Sequence, residues 1–209
     1  MKNNTNRLGA TYRIWHWVNG VAVLGLLGTV ILRKTFLSWR TNSAVIQDKL
    51  SEFGVTADAA KATAKTIRAP MWEWHYIFGF IATGALVIRL IQIIAKKDTS
   101  SLAPAKKVSS GGKDAFVRLS YIAFYIMLGV MAVTGIALYY SDSFGLTGDF
   151  KHDIKEFHEA LMWFFAIFTP VHLLGVFLSE LTDKPGIISR MINGKGQKTE
   201  KPVEETEIV

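Results

Sequence analysis

The chain has 209 residues and a formal net charge of +7; half of it is hydrophobic, only 20% is charged, and its mean hydropathy is +0.24. A soluble domain carries about 25% charge, and here the apolar residues gather in long blocks, which excludes a disordered chain, a small disulfide scaffold and an ordinary soluble enzyme. There is no cysteine, so disulfides, thiolate zinc sites, iron–sulfur ligation and covalent c-type haem attachment are excluded as well.

A hydrocarbon core of about 30 Å needs roughly 20 apolar residues in helix. The first such segment, residues 14–32, contains no Asp, Glu, Lys or Arg. It is too long for a signal peptide and no small-residue cleavage site follows it. Residues 33–73 form the one sizeable loop. Within it, 43–53 and 57–67 read as two short surface helices, with Gly54 as the break. The second segment, 74–95, carries a single charge, Arg89, which is expected to snorkel to the nearer interface. Residues 96–113 are rich in Lys, Ser, Gly and Ala and read as a linker. The third segment, 119–141, is uncharged. The fourth helix is expected over about 156–179, with an uncharged stretch from 160, and Pro170 would bend it. Residues 196–209 read as a charged, disordered cytoplasmic tail.

Lipid offers backbone groups no partner, so each segment must be helical. The expected architecture is all-α: an integral membrane four-helix bundle spanning residues 1–195, multi-pass in a bacterial inner membrane. The N-terminus, second loop and tail hold 14 Lys and Arg against 9 in the first and third loops, which places both termini in the cytoplasm. The basic excess then serves topology, and no nucleic-acid partner is expected. Trp15, Trp17, Trp72, Trp74, Tyr139 and Tyr140 fall at segment ends, as an interfacial aromatic belt would.

Four of the five histidines lie in these segments, where ionisable residues are costly and functional by default. His16 opens the first segment and His75 the second. His158 and His172 share the fourth. Alternating helix direction puts His16 and His172 near the cytoplasmic face, and His75 and His158 near the outer face. The fourteen residues from His158 to His172 amount to about 21 Å of rise and return to within roughly 40° of one face. Two imidazole pairs at two depths suit a flat metal cofactor gripped between helices, and haem is the obvious one. With both axial positions filled, the iron would carry electrons and bind no substrate. Zinc or non-haem iron would want three or four ligands together, and the uncharged core stretches hold no carboxylate. Interfacial structural histidine, and a haem-free histidine-based metal-binding or transport protein, remain as competing readings. His152 lies on a different face and reads as a solvated loop residue.

A short repeat accompanies two of these histidines. Trp15-His16-Trp17-Val18-Asn19-Gly20 and Trp74-His75-Tyr76-Ile77-Phe78-Gly79 both place Gly four residues after His, on the same helix face. Gly20 and Gly79 would give a porphyrin a flat approach to the backbone. Close helix packing explains the glycines equally well, including Gly25, Gly28 and Gly84. Arg13 and Lys155 each precede a histidine by three. Each is a candidate partner for a haem propionate and equally a plain flanking charge.

On Arg13-Ile14-Trp15-His16-Trp17, on His158-Glu159-Ala160-Leu161 through His172, and on the closing run Ile187-Ile188-Ser189-Arg190-Met191-Ile192-Asn193-Gly194, the chain resembles the prokaryotic cytochrome b561 family. That family includes the b-type cytochrome subunits of nickel–iron hydrogenases, and the chain is also similar to formate dehydrogenase gamma subunits. The resemblance covers roughly residues 10–196. It implies four membrane helices, two non-covalent bis-histidine b haems on His16, His75, His158 and His172, and electron exchange with quinone. It further implies an extracytoplasmic dehydrogenase or other redox protein as partner, with membrane lipid around the bundle and a homodimer left open. A stand-alone superoxide:quinone oxidoreductase is the alternative within redox chemistry. The first loop is unusually long for such a relationship.

Overall fold

The structure is a computed structural model that describes residues 9–95, 112–182 and 185–194. The expected linker core and terminal tail lie outside the described residues. All regular structure among the described residues is helical. The helices are α1 (Ala10–Lys34), α2 (Trp39–Leu50), α3 (Ala57–Ile94), α4 (Gly112–Tyr139), α5 (Gly148–Leu181) and α6 (Ile187–Asn193), with a 3₁₀ turn over Ser51–Phe53. Four of them, α1, α3, α4 and α5, are long and apolar enough to cross a membrane.

These four form a ring. α1 packs most closely on α3, α3 on α4 and α4 on α5; the seam between α5 and α1 is the loosest. The buried centre is small: Ala22, Val23, Ala82, Leu86, Leu128 and Phe165 form one cluster. Large apolar side chains such as Ile88, Ile126, Val133 and Ile167 are instead exposed on the outside of the ring. In water that surface would be an aggregation hazard; against lipid it costs nothing. Gly25 lets α1 and α3 meet. A methyl group there would stand 2.6 Å from the Phe78 ring.

The first loop departs from expectation. Thr56 caps α3, its side chain accepting from the Ala59 amide at 3.3 Å. α3 then runs without interruption through Pro70 into the membrane segment. The expected second surface helix is therefore the outer half of a 38-residue helix. Hydropathy marks only the apolar part of such a helix. Residues 57–69 are rich in Ala and Lys, strong helix formers that continue the spiral in water. α2 folds back on this extension after Gly54, whose φ of 78° allows the reversal. Ala60 and Ala64 are fully covered in the contact, and the small side chains let the two helices approach. The end bearing α2 is called the hairpin end below, and the opposite end, where α1 begins and α6 lies, the terminal end.

At the terminal end α6 is tied down on both sides. The Glu180 carboxylate accepts from the Gly186 and Ile188 amides at 2.8 and 2.9 Å. The C-terminal carbonyls of Ile192 and Met191 accept from Arg13 Nη1 at 3.1 Å and Trp17 Nε1 at 3.2 Å.

Candidate functional site

Four histidines fall into two places, two at each end of the ring. At the terminal end, His16 of α1 and His172 of α5 face each other across the loose seam, ring centres 6.1 Å apart and planes at 56°. Phe168, one turn before His172, stacks on it at 5.8 Å with planes 5° apart. Tyr12 lies against His16 at 6.4 Å. Around this pair, two polar atoms are buried with no hydrogen-bond partner: Asn19 Oδ1 and Arg13 Nε. Further atoms of this kind lie elsewhere, on Gln47 and Arg68, so the feature is not peculiar to this pair. Gly20 has nothing within 4 Å of where its Cβ would stand, so it makes no helix contact.

At the hairpin end, His75 of α3 and His158 of α5 line one cavity of about 310 Å³. Their helices stand diagonally across the ring, so the cavity lies inside the bundle. Each ring is held by a threonine of a neighbouring helix. Thr29 Oγ1 of α1 is 2.8 Å from His75 Nδ1, and Thr134 Oγ1 of α4 is 2.8 Å from His158 Nδ1. Gly79 lines the same cavity and leaves open space above its backbone. Gly135 is closer still: a Cβ there would come within 3.3 Å of His158 Cε1. Lys155 lines the cavity, as do Arg33, Lys34, Lys151 and Glu159. Arg33 donates to Glu159 at 2.8 Å and covers the Trp72 ring at 5.4 Å.

Four expectations need correction or extension. Arg89 does not snorkel. It is fully buried, over the faces of Tyr12 at 5.1 Å and Trp15 at 5.6 Å, and donates to Gln92 Oε1 at 3.3 Å. Aromatic faces and an amide oxygen solvate the guanidinium where it stands. Trp15 does not belong to the interfacial belt: it is buried, its indole N–H donating to Ala85 O at 2.7 Å. Arg13 is engaged with α6 through Nη1, which gives it a structural duty besides any other. Thr29, Thr134, Gly135 and Arg33 join the site without any local sequence signal that marks them for it. His152 is exposed beside Glu156 and Asp153, as a surface residue.

The donor set decides which group fits. Among the described residues no three His, Asp or Glu side chains converge as a metal-ion site. Two imidazoles on opposite sides, with no third ligand, suit a metal that brings its own equatorial ligands. A metal bound by two imidazoles at about 2.0–2.1 Å each places the ring centres roughly 6 Å apart, and His16 and His172 stand at 6.1 Å. The cavity inside the bundle, with Gly79 open on its wall, fits a planar macrocycle; Gly20 is open beside His16, as Gly28, Gly84 and Gly175 are elsewhere. No curated protein and no solved structure matches the chain significantly. The family described as prokaryotic cytochrome b561 matches residues 7–194. Four membrane helices, paired histidines and that match over nearly the whole chain converge: this protein belongs to the prokaryotic cytochrome b561 family, multi-pass b-type cytochromes of the bacterial inner membrane that move electrons across it.

Proposed function

We propose that the chain binds two b haems, one on His16 and His172 and one on His75 and His158, and links an extracytoplasmic electron donor to the quinone pool. What supports this reading is that His16 faces His172, that His75 and His158 line one cavity, and that His158 and His172 are separated along α5 by about 21 Å of helix. The charge bias of the loops supports the hairpin end as the outer one.

Bound haem would supply one-electron chemistry at an iron with no open coordination site. The chain does the rest. α1, α3 and α5 present the four imidazoles from fixed helices. The buried cluster between the sites keeps water out. Phe165 lines the outer cavity, lies 5.7 Å from Phe124, and Phe124 lies 5.0 Å from Phe168, which stacks on His172. The interval between the pairs is thus filled by packed aromatic rings. Lys155, Lys151 and Lys34 offer cations to haem propionates or to an approaching donor, while Arg33 holds Glu159. Arg13 Nε, a buried donor without a hydrogen-bond partner, would suit a propionate of the inner haem.

A second reading has its own observation. Four cations and one carboxylate line the outer cavity, so a small anionic donor such as superoxide would be drawn to it. The chain would then act alone as a superoxide:quinone oxidoreductase. A soluble or membrane-bound dehydrogenase is the donor under the first reading, and the long α2–α3 hairpin offers it a different surface from a short loop.

Proteoliposomes test the proposal. A membrane-impermeant reductant outside should reduce quinone in the membrane only with haem-loaded protein, and His158→Ala should abolish the transfer while keeping one haem. Transfer that survives His158→Ala would overturn it. Superoxide consumption coupled to quinone reduction, with no other subunit present, would select the second reading.

A further inference from the structure

The two outer histidines are fastened in the same way, and the hydrogen-bond arithmetic fixes how. A threonine hydroxyl has one hydrogen to give. Thr29 Oγ1 gives it to Leu26 O at 2.7 Å. Thr134 Oγ1 gives it to Val130 O at 2.8 Å, with Met131 O at 3.2 Å sharing it. With its hydrogen committed, each oxygen meets the imidazole 2.8 Å away as an acceptor only. Nδ1 of His75 and of His158 must therefore carry the proton, and Nε2 keeps its lone pair. Among the described residues nothing comparable stands at the terminal end, where the contacts of His16 and His172 are with aromatic rings and with each other.

We propose that Thr29 and Thr134 are positioning residues that lock both outer histidines in the Nδ1–H tautomer and lower the reduction potential of the outer haem. The inference rests on the bis-histidine reading above. An N–H donated to an oxygen makes the opposite nitrogen more basic, and a stronger donor favours the oxidised iron. Among the described residues only the outer pair has hydroxyls bonded to its imidazoles, so the effect is confined to that site.

The test is a redox titration of purified haem-loaded protein, with the outer component identified as the one that His158→Ala removes. Thr29→Val and Thr134→Val should each raise the potential of that component by a three- to tenfold change in the oxidised-to-reduced ratio, roughly 30–60 mV for one electron. The inner component should stay where it is. Thr29→Ser and Thr134→Ser should restore the wild-type value, because the hydroxyl and its geometry return. A second measurement on the unaltered protein is electron–nuclear double resonance of the oxidised state. It should show hydrogen-bonded Nδ1 protons on the ligands of the outer iron and weaker bonding at the inner one. Unmoved potentials in the valine variants, equal shifts in both components, or like Nδ1 protons at the two irons would each overturn the inference with two haems still present. A wild-type protein without b haem would instead overturn the reading beneath it.

Discussion

The His16 and His172 rings stand 6.1 Å apart, centre to centre, on two helices that otherwise barely touch. Apolar packing would have closed that seam, since helices in lipid associate through close contact of small residues. What lies across it is a pair of nitrogen donors, with Phe168 stacked on one and Tyr12 beside the other. A seam held open at the width of one metal between two imidazoles is the main reason to read a cofactor there. His172→Ala should therefore take haem content from two per chain to one, measured as haemochrome against protein, and leave the outer component's spectrum unchanged.

Gly25 and Gly135 should fail in different ways. Gly25→Ala drives a methyl into Phe78 at a helix contact, an overpacking of the kind that costs about 1–3 kcal/mol. Its expected phenotype is a lower melting temperature with both haems retained. Gly135→Ala presses on His158 Cε1, where a few tenths of an ångström must be found. Here the expected loss is outer haem, visible in the spectrum, with a smaller change in melting.

Gly20 and Gly79 have open space where a Cβ would stand. Gly79→Leu should be tolerated by the fold and should exclude the outer haem; Gly20→Leu should do the same for the inner one. Helix packing as the sole role of these glycines predicts the reverse, a destabilised bundle with haem stoichiometry unaffected. Melting followed alongside haem content separates the two.

The cationic lining of the outer cavity makes a rate prediction. Lys151→Glu with Lys155→Glu should slow reduction by a small anionic donor by about tenfold at low salt, because charge steers encounter. Raising ionic strength should narrow the gap between variant and wild type as the Debye length shrinks. A neutral donor should show neither effect. Stopped-flow reduction at two salt concentrations checks both arms.

Arg13→Ala removes the hydrogen bond to Ile192 O and loosens α6. One neutral acceptor and a charged donor at an exposed position are worth on the order of 1 kcal/mol. Faster proteolytic cleavage within α6 is the expected readout, together with a disturbed inner haem, since Arg13 and Trp17 flank His16 on α1.

Much of this was legible in the chain. Four apolar segments gave the membrane helices, because length and composition are all that crossing a bilayer demands. Helix direction and rise sufficed to bring His16 toward His172 and His75 toward His158. What escaped were encounters fixed by rotational phase and side-chain reach. Thr29 and His75 are 46 residues apart, Arg33 and Glu159 126; nothing local announces either contact. Arg89 was assigned to the interface by its position in the segment, yet the aromatic faces that shelter it come from α1. Residues 57–67 read as helical, but their continuity with the membrane segment does not, because hydropathy marks only where the apolar part of α3 begins.

Two haems per chain, each between one histidine of α5 and one of another helix, is a stoichiometry that can be counted. Haem quantified against protein in the purified wild type and in four single variants, His16→Ala, His75→Ala, His158→Ala and His172→Ala, tests it most directly. The wild type should carry two haems and each variant one, with His16→Ala and His172→Ala sharing one residual spectrum and the other two sharing a second. A wild type with fewer than two haems, or residual spectra that group the histidines otherwise, would contradict it.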